Sequence, residues 1–233
     1  MALGVSCAEG IGNVILQAGW GINRLVGRII TTLDCVAEGA EWLAGREPKF
    51  AAALAVCGPL PLRRQEDGFA ALLSAIVGQQ VSVASARAIW GRLETAGLTY
   101  SAAMAEASDE ALRAVGLSRQ KARYGRALAQ AGIDFNSLRG EPDDSVIARL
   151  VAVPGVGRWT AEIYAMFALG RADVFAPGDL ALQEAAKRLF RLESRPGDKV
   201  LRAMAEEWSP WRSVAARLLW TYYTVLKSRD GVV

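Results

Sequence analysis

From Asp34 onward, apolar residues recur three and four positions apart, a spacing that admits helices and almost nothing else. Alternating strand patterns are nearly absent, and Ala, Leu and Arg dominate. The periodicity predicts helices over 34–45, 48–57, 67–80, 83–96, 108–115, 119–131, 143–152, 157–169, 179–192, 198–207 and 210–227. Pro142-Asp143-Asp144 reads as one helix start. Ser209-Pro210 reads as another, with the serine hydroxyl as N-cap and proline at the first helical position. No repeat of fixed period is visible. Residues 1 to about 30 are Gly-rich and weakly periodic, and residues 1–33 read as a loosely ordered or atypical extension.

The chemistry open to the chain is bounded by what it lacks. There is no histidine, which removes Ser-His-Asp triads, Cys-His dyads and His-ligated metals. Cys7, Cys35 and Cys57 are scattered, with no C-x-x-C pair, so a zinc ribbon, an iron–sulfur cluster and a disulfide scaffold are disfavoured. A reducing, cytoplasmic setting is expected. No apolar run reaches the roughly 18 residues of a membrane helix, and the N-terminus lacks the basic region of a secretory signal. Lys and Arg number 27 and Asp and Glu 24, a net charge of +3, which permits nucleic acid without demanding it. Any catalysis must use carboxylates, hydroxyls, Lys, Arg, Tyr or the backbone.

In Leu150-Val151-Ala152-Val153-Pro154-Gly155-Val156-Gly157-Arg158-Trp159-Thr160-Ala161 a helix runs into Pro154, turns on two glycines and restarts. Gly155 and Gly157 allow a tight turn and close approach to another surface. The N–H groups opening the second helix attract an anion such as a phosphate. An ordinary tight helix–helix turn would look the same. Further on, Val174-Phe175-Ala176-Pro177-Gly178-Asp179-Leu180-Ala181 places an Asp at a helix start, where the plain reading is an N-cap.

Together the hairpin and this aspartate resemble the helix-hairpin-helix DNA glycosylase superfamily, with the greatest likeness to the bacterial 3-methyladenine DNA glycosylase II group. Three further blocks agree: Ile76-Val77-Gly78-Gln79-Gln80-Val81-Ser82-Val83, Gly116-Leu117-Ser118-Arg119-Gln120-Lys121-Ala122 and Trp208-Ser209-Pro210-Trp211-Arg212-Ser213. The resemblance spans about residues 34 to 227. It implies an all-α fold of two helical subdomains with a cleft between them, one over about 67–175 and the other from about 34–66 plus 176–228. It also implies a short form without the N-terminal β-rich domain of the enterobacterial protein.

The resemblance maps Asp179 onto the family's catalytic aspartate. Cleaving an N-glycosidic bond builds positive charge on the sugar, as in glycoside hydrolysis. An ionised carboxylate in a water-poor cleft stabilises that charge and can orient the attacking water. Trp159 stands where bifunctional relatives such as endonuclease III carry a Schiff-base lysine, so hydrolysis without strand cleavage is expected. The expected substrate is duplex DNA with alkylated bases of the 3-methyladenine or 7-methylguanine type, bound by a monomer. The alternatives are a non-enzymatic DNA-binding module and a glycosylase for uracil or hypoxanthine.

A base must leave the stack before excision, and aromatic faces suit it. Trp159 and Trp220 are the candidate walls, with Ile163 and Leu180 replacing family tyrosines on the floor. Trp220 shares a helical stripe with Ser213, Arg217 and Thr224, while Trp90, Trp208 and Trp211 read as core. Gln79 and Gln80 end a helix; a solvated helix end is the plain reading, and the resemblance makes Gln80 the side chain that fills the gap left by the flipped nucleotide. Arg119, Lys121, Arg123 and Arg126 form a basic face beside Ser118. Such faces are ordinarily just solvated, or here a second phosphate-contacting patch. DNA contacts are therefore expected from Gly155, Val156, Gly157, Arg158, Thr160, Gln79, Gln80, Ser118, Arg119 and Lys121. No cofactor is required. The resemblance implies an alkali-metal ion, Na+ or K+, on the carbonyls of Val151, Val153 and Val156.

Overall fold

The computed structural model describes residues 26–229. Among them the regular elements are helices: α1 (Leu33–Arg46), α2 (Pro48–Cys57), α3 (Phe69–Gly78), α4 (Val83–Thr95), α5 (Ser101–Glu106), α6 (Asp109–Ala114), α7 (Arg119–Gln130), α8 (Phe135–Leu138), α9 (Asp143–Val151), α10 (Arg158–Phe167), α11 (Leu180–Phe190), α12 (Asp198–Ala205), a 3-10 turn (Glu206–Trp208) and α13 (Arg212–Arg229). The fold is all-α, and every helix that the periodicity predicts is present.

Short polar side chains start many of these helices. Ser82, Ser108 and Ser118 each accept a hydrogen bond from the N–H three residues on. Glu47 caps α2 ahead of Pro48. The packed helix pairs fall into two groups. In one, α2, α11 and α13 pack on one another, with α1 on α2 and α13 and α12 on α11; in the other, α3 packs on α4, α7 and α10, with α5 and α6 on α7 and α9 on α10. The first group is centred on Trp208, with the rings of Phe50, Phe175 and Phe190 within 6 Å of its own. The second buries Leu72, Leu73, Ile76, Met104, Leu150 and Ala161.

Several sequence expectations need correction. Of the segment read as an extension, residues 1–25 lie outside the described residues, but Val26 to Leu33 belong to the fold. Ile30 is fully buried and its N–H donates to Gly170 O at 2.7 Å. Arg28 O accepts from Ala172 N at 3.0 Å. Ser209-Pro210 does not open α13, which begins at Arg212. Its peptide is cis, and the Ser209 hydroxyl donates to Asp173 Oδ2 rather than capping a helix. Trp208 and Trp211 are core, whereas Trp90 is half-buried with its N–H on Glu94. The polar stripe of α13 faces inward. Ser213 and Arg217 are fully buried, and Arg217 donates to Leu62 O and lies over the Phe167 ring. Helices α5 and α8 were not anticipated: each is too short to show a period.

Candidate active site

Asp179 sits at the N-cap of α11, in extended backbone. Its Oδ1 accepts from Ala181 N at 2.9 Å and Leu182 N at 3.1 Å, the first-turn donors of the helix. It also accepts from Trp220 Nε1 at 3.1 Å, while Oδ2 accepts from Trp159 Nε1 at 3.1 Å. Four N–H groups from three helices therefore fix one carboxylate. The cap reading holds, and the same carboxylate also holds two indole N–H groups.

Beside it opens a cleft of about 850 Å³, lined by Trp159, Ile163, Gln79, Gln80 and the Gly155–Gly157 turn together with Gln65, Gln120 and Tyr124. Trp159 is 41% exposed, so its ring presents a face to the cleft while its N–H holds Asp179. Ile163 is on the lining as expected. Leu180 is not: it is 62% exposed, beyond the cap. Trp220 also lies off the lining, though its N–H reaches the carboxylate.

The hairpin joins α9 to α10. Gly155 has φ +92°, and a Cβ there would meet the Tyr124 ring at 2.2 Å, so glycine is required twice over. At Gly157 a Cβ would meet nothing within 4 Å. Gly157 is the N-cap of α10 and offers no side-chain acceptor, so the first-turn N–H groups are left for an external anion. Val156 is buried and contributes only backbone; Thr160 is buried and accepts from the Gln79 amide at 3.5 Å. Gln79 also donates to Gly155 O at 3.0 Å, binding the end of α3 to the hairpin. These two residues brace the turn and also line the cleft. Arg158 is exposed but paired with buried Glu162, which Arg202 also holds at 2.9 Å. Burial raises the Glu162 carboxyl above its usual range despite both arginines.

Gln80 is exposed at the cleft edge with φ +56°, a left-handed conformation that projects it from the turn. The basic face of α7 divides. Ser118 caps the helix. Lys121 donates to Val77 O at 2.6 Å, closing the C-terminus of α3, and partial burial lowers its pKa. Arg126 is held by Asp109 and Ala107 O. Arg119 and Arg123 remain exposed, with Arg113 of α6 on the same hollow.

Sequence reasoning missed Gln65, Gln120 and Tyr124 as cleft residues. Gln65 lies in an aperiodic linker, and Tyr124 meets the hairpin only through tertiary packing. No pattern along the chain marks either.

An all-α molecule whose glycine hairpin lines a cleft, with a helix-capping aspartate held by a tryptophan of that lining, has the architecture of a helix-hairpin-helix base-excision protein. The model of the HhH-GPD superfamily, base excision DNA repair proteins, matches residues 73–210, and the chain belongs to that superfamily. It is similar to a Bacillus subtilis protein that carries the provisional name DNA-3-methyladenine glycosylase YfjP. The identity is 35% over 121 residues, covering 50% of this chain and 42% of that protein. The chain thus spans about two fifths of that relative's length. Its fold is similar to the crystal structure of a Bacillus halodurans DNA-3-methyladenine glycosidase, with TM-score 0.74, 33% identity, and 82% of this chain and 91% of that one covered. It is also similar to the Schizosaccharomyces pombe 3-methyladenine DNA glycosylase Mag1 in complex with abasic DNA, with TM-score 0.70, 26% identity, and 78% and 95% covered.

Proposed function

We propose that this chain binds damaged duplex DNA and hydrolyses the N-glycosidic bond of alkylated purines. The observation that carries the reading is the Asp179 carboxylate, held by two tryptophan N–H groups and a helix N-terminus, one of those tryptophans lining the open cleft. The names of the similar proteins point the same way.

In this reading the hairpin N–H groups grip a backbone phosphate and set the register. The damaged nucleotide swings into the cleft, and Gln80 fills the space it leaves. Trp159 offers its face to the base. The glycosidic bond lengthens, positive charge grows on the sugar, and Asp179 Oδ2 stabilises it. Water attacks the opened carbon with Asp179 orienting it and accepting its proton, and the base departs with the bonding electrons. No lysine stands at position 159, so the sugar–phosphate chain stays intact. The functional unit is a monomer, in the cytoplasm. Among the described residues no helix is long and apolar enough to cross a membrane.

A Na+ or K+ ion at the hairpin fits the donors present. The carbonyls of Val151, Val153 and Val156 are neutral hard oxygens, and Val153 O keeps one lone pair beyond its bond from Val156 N. Such an ion would stiffen the turn that meets the phosphate.

The test is base release from duplexes containing 3-methyladenine, 7-methylguanine, ethenoadenine, hypoxanthine or uracil, comparing wild type with Asp179→Asn. Release of alkylated purines by wild type alone is expected. Equal release by both proteins, or none from any lesion, overturns the reading and leaves a DNA-binding module. Strand breaks without added base overturn the absence of lyase chemistry.

A further inference from the structure

Trp220 holds Asp179 by its indole N–H, yet its ring is closed to the cleft. Phe167 tilts against it with centroids 5.6 Å apart and planes at 38°. The Arg63 guanidinium lies over the same ring, 5.7 Å from its centroid. That separation is within cation–π range.

Arg63 is an unusual neighbour for an indole that holds a carboxylate. It lies in the linker between α2 and α3, whose Gln65 lines the cleft and donates its backbone N–H to Phe167 O at 3.0 Å. Its backbone is left-handed at φ +50°, a region that side-chain-bearing residues enter rarely and that collects at functional sites. Desolvation lowers its pKa, and its positive charge bears on Arg217. A partly desolvated cation is held here against an aromatic face. It sits on an exposed, irregular segment that can release it.

We propose that Arg63 is a removable occupant of the Trp220 face and makes the site select planar cationic bases over neutral ones. This rests on the excision reading above. A flipped base that stacks on Trp220 as well as on Trp159 takes the place of the guanidinium. A purine alkylated at a ring nitrogen carries positive charge, so it restores on Trp220 the attraction that Arg63 gives up. The exchange is then close to even. A neutral purine restores no such attraction, so its entry is opposed by about tenfold. The guanidinium, once released, swings toward solvent and the DNA backbone. Undamaged purines, which are neutral and abundant, are the bases most in need of exclusion.

Two measurements test this on the full chain. The first is single-turnover release of 7-methylguanine and of hypoxanthine by wild type, Arg63→Ala and Arg63→Lys. The ratio of cationic to neutral release should fall about tenfold in Arg63→Ala, through faster hypoxanthine release, and partly recover in Arg63→Lys. The second needs no catalysis. The Trp220 indole N–H resonance, assigned with Trp220→Phe, is followed while free 7-methylguanosine or guanosine is added. In wild type it should respond to 7-methylguanosine alone, and in Arg63→Ala to both. If wild type releases no base but the titrations differ in this way, the excision reading fails while the role of Arg63 stands. If ratio and titrations are the same in wild type and Arg63→Ala, the proposal is overturned.

Discussion

Asp179 performs two tasks that substitutions can separate. Asparagine keeps an acceptor oxygen for Ala181 N and Leu182 N, and it caps helices as well as aspartate does. It brings no charge, and its amide would set a donor against the Trp159 N–H. Asp179→Asn should therefore unfold within about 0.5 kcal/mol of wild type while base release falls about 10²–10⁴-fold. Asp179→Ala should add a stability loss of about 1 kcal/mol as the cap goes. Thermal melts and excision assays on the two variants distinguish the roles. At Trp159 the ring face and the N–H are separable in the same way. Trp159→Phe keeps a face and loses the donor to Oδ2, so the chemical step should slow about tenfold with KM little changed. Trp159→Ala should raise KM as well. A change in KM alone for the phenylalanine variant would show that the N–H does not position the carboxylate.

At the scale of elements, the hairpin works because its two glycines answer different demands. Gly155 is constrained from within, by φ +92° and by the Tyr124 ring. Gly155→Ala should cost about 1–3 kcal/mol and weaken DNA binding by shifting the turn. Gly157 has an ordinary φ of −79° and open space around it. Gly157→Ala should leave the melting temperature unchanged and still weaken binding, because the new methyl stands where a phosphate must approach. Equal DNA affinity for Gly157→Ala and wild type, by fluorescence anisotropy on an undamaged duplex, would move the phosphate contact elsewhere. The bracing of this element is tertiary: Gln79 from α3 and Tyr124 from α7 hold the turn from two sides.

At the scale of the whole molecule, one buried arginine ties distant segments together. Arg171 is 1% exposed, and its guanidinium donates to the carbonyls of Val26, Leu138, Arg139 and Glu141. Its Nε faces Asp143 Oδ1 at 3.5 Å, an ion pair without hydrogen-bond alignment. One side chain thus joins the segment before α1, the turn after α8 and the start of α9. Arg171→Met takes a donor from four carbonyls, of which Leu138 O keeps its bond from Glu141 N, and takes the guanidinium from half-buried Asp143. It should lower unfolding free energy by about 3–5 kcal/mol, seen as a lower denaturant midpoint. The sequence offered no hint of this: Arg171 follows Gly170 in a short link after α10, and nothing along the chain distinguishes it from a solvated arginine.

What the sequence by itself determined is local. Spacing of apolar residues sets which segments are helical, because an amphipathic period of 3.6 has only one way to bury its face. Ser82, Ser108, Ser118 and Asp179 mark helix starts, because each satisfies N–H groups within three residues of itself. The glycines of the hairpin announce a turn for the same short-range reason. Tertiary structure decided how those parts meet. It turned Lys121 inward onto Val77 O, withdrew Thr160 and Val156 from the surface, left Leu180 outside the cleft and buried Ser213 and Arg217 of the polar stripe of α13. It also set Trp159 and Trp220 on one carboxylate and Arg63 over the second indole. These contacts join residues 20 to about 160 positions apart in the chain. Which side chain fills a given space there depends on packing between helices, and no periodicity within one helix encodes that.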